Sequence, residues 1–126
     1  MPVVVTGGDE PLGRALLAAL LTALPGGELR AVVSTRAGQR DLVLRGVRAA
    51  RVGLDDADLL AAVLAGAHTV VHAAGPEPAD TLGPVSAAVR TAQVPRLLVV
   101  TARPVPGAVA PGRGVVERVL AADARS

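Results

Sequence analysis

The chain contains no Phe, Trp, Tyr, Cys, Lys, Asn or Ile, and each absence removes a class of chemistry. Without cysteine there is no disulfide framework, no thiol nucleophile and no thiolate-held metal. Without tyrosine or lysine there is no phenolic acid and no amine to form a Schiff base or lower a neighbour's pKa. Without aromatic rings the stacking platforms used by common single-strand and RNA readers are excluded. Long hydrophobic runs are missing as well. The longest, such as Ala15 to Leu21, reach seven residues, far below the roughly 20 that a membrane span needs. No charged, then apolar, then small-residue signal opens the sequence, so the expectation is a cytoplasmic protein with no membrane partner.

Charge is also scarcer than the isoelectric point of about 10.9 suggests. Thirteen basic residues, all Arg, face eleven Asp and Glu, a formal net charge of +2. With no Lys, Tyr or Cys titrating between His and Arg, that small excess alone carries the isoelectric point upward. The arginines are scattered from Arg14 to Arg125 without a dense block, and no nucleic-acid partner is expected.

What is present is small and apolar. Ala, Val, Leu and Gly supply 77 of the 126 residues, 51% of the chain is hydrophobic and 19% is charged. That composition buries a core and does not support disorder, and the length fits one domain, residues 1–126. The apolar residues alternate between two kinds of segment. Val3 to Thr6 is a β-branched run that ends at Gly7-Gly8, as a buried parallel strand does. Leu12, Leu16, Leu17, Leu20, Leu21 and Leu24 then recur at helical spacing up to Pro25-Gly26-Gly27.

The alternation continues along the chain. A strand is predicted over Leu29 to Thr35, a weaker helix near Arg40 to Arg45, and a short strand over Ala49 to Val52. A helix from about Asp56 to Ala65 leads to a strand from Thr69 to Ala73, and a helix from about Thr81 to Gln93 leads to a strand from Arg96 to Thr101. Beyond a loop with Pro104, Pro106 and Pro111, the residues Val115, Val116, Val119 and Leu120 predict a last helix within Arg113 to Ala124. Five strands alternating with helices imply an α/β, Rossmann-like, doubly wound parallel sheet of order 3-2-1-4-5 with right-handed crossovers.

The first strand-turn-helix reads Thr6-Gly7-Gly8-Asp9-Glu10-Pro11-Leu12-Gly13. Gly7 and Gly13 stand as the outer glycines of a dinucleotide-binding turn, one for the tight turn off the strand and one for close helix-to-strand contact. The middle glycine is replaced by Glu10, and Asp9 adds a second carboxylate near a helix N-terminus whose dipole attracts phosphate. Two readings stand side by side: a nucleotide turn, or Asp9 or Glu10 serving as a helix cap with Pro11 in the first turn.

The segments VVVTGGDEPLGRALLAALL, LAGAHTVVHAAG and VPRLLVVTA together resemble the extended and atypical short-chain dehydrogenase/reductase family, which includes NAD-dependent epimerase/dehydratases and NmrA-like proteins. The resemblance runs in matching order over nearly the whole chain. It implies that Gly7, Gly8, Leu12 and Gly13 form the pyrophosphate turn. Arg36 falls where the family often holds an arginine against a 2′-phosphate, and no Asp or Glu stands at that strand end in the sequence, which favours NADP over NAD as cofactor. A solvated loop arginine is the other reading of Arg36. His72-Ala73-Ala74-Gly75 match the end of the family's fourth strand, where small residues let the backbone pass close to the cofactor. Ala73, Ala74 and Gly75 are therefore cofactor-binding candidates, with His72 a packed strand residue. The family's Asp facing the adenine edge has no clear counterpart: Gly53 aligns there, with Asp55 and Asp56 nearby.

The departures bear on enzymology. The family pairs a Ser or Thr after the fifth strand with Tyr-x-x-x-Lys. Thr101 could align with the hydroxyl, but Tyr and Lys are absent, so no residue is assigned a catalytic role and an enzyme of this lineage remains one reading. The resemblance also implies that the chain stops short of the family's sixth strand and substrate region. The competing reading is an NmrA-like regulator, sensor or scaffold that has lost the cofactor. Under either reading, a homodimer or protein partner is expected to cover sheet surface left open by a short last helix. Asp55, Asp56 and Asp58 read as a helix start in preference to a cation site, and Ser34 and Ser86 lack the elbow motif of a serine hydrolase.

Overall fold

The computed structural model describes residues 2–24, 26–73, 78–100 and 116–119. In chain order these form β1 (Val3–Thr6), α1 (Pro11–Ala23), a 3-10 turn (Gly26–Glu28), β2 (Leu29–Val33) and α2 (Arg36–Leu44). There follow β3 (Arg48–Arg51), α3 (Ala57–Leu64), β4 (Thr69–Ala73), α4 (Pro78–Ala92), β5 (Arg96–Val100) and β6 (Val116–Val119). The sheet order is β3-β2-β1-β4-β5-β6. The first five strands run parallel in the predicted order 3-2-1-4-5, with Thr6 opposite Val32 on one side and His72 on the other.

Strand alternation builds two cores from adjacent valines. Val4, Val32, Val70 and Val99 face one way, onto Leu60 and Leu64 of α3 and Val85 and Val89 of α4. Val5, Val33, Val71 and Val100 face the other, onto Leu17 of α1 and Leu42 of α2. Both faces of the central strands are covered, which is why their sequences are near-continuous apolar runs, with Thr6, Thr69 and His72 buried among the valines. β3 is the outer strand on its side, and it places Arg48 and Arg51 in solvent, a charged edge that discourages pairing with another sheet.

Two predicted elements are corrected. The weak helix near Arg40 to Arg45 begins earlier, at Arg36, because the Thr35 hydroxyl accepts a hydrogen bond from the Gly38 amide at 3.0 Å and caps it. The predicted last helix is replaced, over its described part, by β6, which pairs antiparallel to β5 with Leu98 opposite Val119 and Val99 opposite Arg118. Four apolar positions within six residues satisfy a helix period, but β-branched valines favour extended backbone, and the outer edge of β5 offers unpaired amides and carbonyls to pair with. β6 thus occupies the edge that the sequence reading leaves open to a partner.

Candidate functional site

Ligand crevices in doubly wound sheets lie beyond the carboxyl ends of the strands where the strand order reverses, here between β1 and β4. Gly7 leaves β1 at this point with φ +76°, a left-handed conformation that favours glycine. A Cβ on Gly7 would stand 2.6 Å from the Ala73 carbonyl oxygen at the end of β4. On Gly13, in the first turns of α1, a Cβ would overlap the Gly7 carbonyl. The helix therefore lies against the turn with no room for a side chain, so the backbone of residues 7–13 is laid close to the strand ends. Gly8 is tight but less constrained: its Cβ would meet Ala31, Leu17 and Val33 at 3.2 to 3.3 Å. Its amide donates to the Val32 carbonyl at 2.9 Å, tying the turn to β2.

Leu12 is half-buried against the α1/α2 core and anchors the start of α1. Pro11 is the first helical residue, where a missing N–H costs nothing. The amides of Leu12 and Gly13 follow in the first turn, where the helix offers them no acceptor. Gly7, Gly8, Leu12, Gly13 and Ala73 are thus brought together around one turn. Ala74, Gly75 and Thr101 lie outside the described residues.

The carboxylates behave unlike caps. Glu10 is the N-cap of α1 by position, with extended backbone, but it is exposed and its side chain makes no capping hydrogen bond. Asp9 turns away from α1 to the end of β2. Its Oδ2 accepts four hydrogen bonds, from the Ser34 amide (3.1 Å) and hydroxyl (3.0 Å) and from the Thr35 amide (3.0 Å) and hydroxyl (2.9 Å). Its Oδ1 is buried without a hydrogen-bond partner among the described residues. Burial raises the Asp9 pKa, but the hydrogen bonds from Thr35 and Ser34 outweigh it and the net shift is downward, so the group is a carboxylate at neutral pH. The β2 end, free of acids in the sequence, therefore holds one in space.

Arg36, the first residue of α2, is exposed beside this cluster and forms no ion pair among the described residues. His72 is 2% exposed. Its Nδ1 lies 2.7 Å from the Thr6 hydroxyl and its Nε2 2.8 Å from the Thr81 hydroxyl, so a neutral ring can donate through one nitrogen and accept through the other. Burial pushes its pKa down from 6.5 to about 4. His72 is a neutral bridge between β1, β4 and α4, as expected of a packed strand residue. Of the three aspartates near 56, Asp56 caps α3 by accepting from the Leu59 amide at 3.2 Å.

Among the described residues no helix is long and apolar enough to cross a membrane. No protein-family model matches the chain, and no curated protein matches it. Solved structures do. The NADPH-dependent quinone oxidoreductase of Escherichia coli, complexed with NADPH, superposes with a TM-score of 0.72 at 20% identity, over 79% of this chain and 36% of its own. The Citrobacter sp. triphenylmethane reductase complexed with NADP(H) gives 0.73 at 22% identity, over 88% and 41%. A nucleoside-diphosphate-sugar epimerase from Pseudomonas aeruginosa gives 0.65 at 26% identity, over 82% and 35%. The fold is the Rossmann-like fold of epimerase- and reductase-type proteins, the group that the sequence segments resemble, and the chain spans about two fifths or less of the length of these three structures.

Proposed function

We propose that the chain binds a nicotinamide dinucleotide at the β1–α1 turn, with NADP(H) favoured over NAD(H). The observation that carries this reading is the backbone cradle at the reversal of strand order: positions 7 and 13 admit no Cβ, and the loop between them runs along the ends of β1, β2 and β4. Gly7, Gly8, Leu12 and Gly13 would take the pyrophosphate, with the first-turn amides of α1 as donors. Ala73, Ala74 and Gly75 would form the floor on the β4 side. Arg36, exposed at the β2 end and without an ion pair among the described residues, would take a 2′-phosphate. The NADPH and NADP(H) complexes among the structural neighbours support the cofactor assignment.

When bound, the nicotinamide supplies hydride transfer; the chain's own residues bind and orient. Tyr and Lys are absent from the 126 residues, so the Tyr-x-x-x-Lys proton relay of short-chain dehydrogenases is not expected here. His72, held neutral between two hydroxyls, is not placed to replace it. A cytoplasmic binding domain of oxidoreductase or epimerase lineage is the reading that results.

The test is a titration of NADPH and NADH followed by nicotinamide fluorescence, to which a protein without Trp, Tyr or Phe contributes almost nothing. Saturable binding of both, tighter for NADPH, is expected. Arg36→Ala should reduce the preference by about 1 kcal/mol, the low end for a charge-assisted contact because the arginine is exposed. No binding of either nucleotide at millimolar concentration would favour a scaffold that has lost the cofactor.

A further inference from the structure

Four donors at the end of β2 converge on a single oxygen, and the oxygen belongs to the chain itself. The Ser34 and Thr35 amides and hydroxyls, at the N-terminus of α2 and next to Arg36, which forms no ion pair among the described residues, are chemically a seat for an anion. The Asp9 carboxylate fills it. Three features mark this arrangement as more than a loop staple. The carboxylate arrives from the turn that also carries Gly7 and Gly13, so the group in the seat and the proposed pyrophosphate turn belong to one short stretch of backbone. Its second oxygen is buried with no hydrogen-bond partner among the described residues, an arrangement that is costly for a charged acceptor. Gly38 leaves the Asp9 side chain its room, since a Cβ there would lie 2.5 Å from the Asp9 Cβ.

We propose that Asp9 is a specificity-determining residue of the nucleotide site, an internal anion that competes with the 2′-phosphate of NADP(H) for the Ser34, Thr35 and Arg36 seat. The inference rests on the dinucleotide reading above and adds to it. A 2′-phosphate brings up to two negative charges to a position where one already sits, so it must displace the carboxylate or bind beside it under repulsion. A free 2′-hydroxyl carries no charge and escapes that penalty. The chain therefore holds its NADP(H) affinity below what its donors would otherwise give, and Asp9 sets the interval between the two cofactors.

The experiment compares NADPH and NADH dissociation constants for the full chain, for Asp9→Asn and for Asp9→Ser. Asn keeps the shape and an acceptor oxygen while removing the charge, and Ser clears the seat; circular dichroism confirms that each variant is folded. Both variants should bind NADPH about tenfold more tightly, with NADH changed by less than about threefold. Unchanged or weakened NADPH binding in a folded variant would overturn the proposal. So would a ratio that moves only because NADH weakens, since that would assign the carboxylate to the ribose hydroxyls. No binding of either nucleotide by any of the three proteins would instead remove the dinucleotide reading itself.

Discussion

At the residue scale the two perturbed acid-base groups among the described residues both lose stability as pH falls, in different windows. His72 has a folded pKa near 4 against 6.5 in the unfolded chain, so between those values the unfolded state binds more protons and stability falls as pH is lowered. The loss runs from about pH 6.5 to 4 and amounts to about 3 kcal/mol, at about 1.4 kcal/mol per pH unit. His72→Gln, which keeps a donor and an acceptor, should flatten that slope in urea unfolding at pH 7, 6 and 5; an unchanged slope would show that the ring is not the group being titrated. Asp9, with its pKa lowered from 3.8, contributes stability above that value and loses it as pH falls further, so Asp9→Asn should leave the pH 5 to 7 profile untouched. Glu10, exposed at the start of α1, acts on a ligand only through its charge. Glu10→Gly should tighten NADPH and NADH alike, in contrast to the selective effect expected at Asp9, and nucleotide titration separates the two.

At the scale of elements, strands were legible where both faces are buried, because Val3 to Thr6, Leu29 to Val33 and Thr69 to Ala73 are mostly apolar, with only Thr6, Arg30, Thr69 and His72 interrupting them. Helix α1 was legible from its leucine period. The start of α2 was not, since Ala37-Gly38 has no amphipathic signal and the element depends on the Thr35 cap. Loss of that cap in Thr35→Ala should cost about 1 kcal/mol, more if the Asp9 contact contributes, by chemical denaturation. β6 was misread because a short valine-rich run satisfies either period until the strand beside it is known. α4 ends with Gln93 at φ 58°, where glycine is the usual residue. Gln93→Gly should raise stability by about 1 kcal/mol in thermal or urea unfolding. Gly13→Ala should do the reverse, by about 2 kcal/mol or more, because the added methyl meets backbone that cannot move without shifting α1 from β1.

At the scale of the whole molecule, strand order decides what meets what. The sequence reading placed Gly7, Gly8, Leu12 and Gly13 on one turn and gave the strand order that brings Ala73 beside them. It missed Asp9 at Ser34 and Thr35, 25 and 26 residues away, although the signal was present. Thr6 pairs in register with Val32, Asp9 follows Thr6 by three residues, and Ser34 and Thr35 follow Val32 by two and three. Offsets of two to three residues beyond a registered pair leave all three residues at the same end of the sheet, and the adjacency of β1 and β2 was what was needed to see it.

The central claim, that this turn is a dinucleotide site, is tested most directly by following the backbone amides of the full chain by NMR as NADPH is added. The account predicts saturable shifts at Gly7, Gly8, Leu12 and Gly13, with a second set at Ser34, Thr35 and Arg36, and none of comparable size at the opposite ends of the strands near Val3, Leu29 and Thr69. An unperturbed turn at millimolar NADPH, or shifts confined to the other end of the sheet, would contradict it.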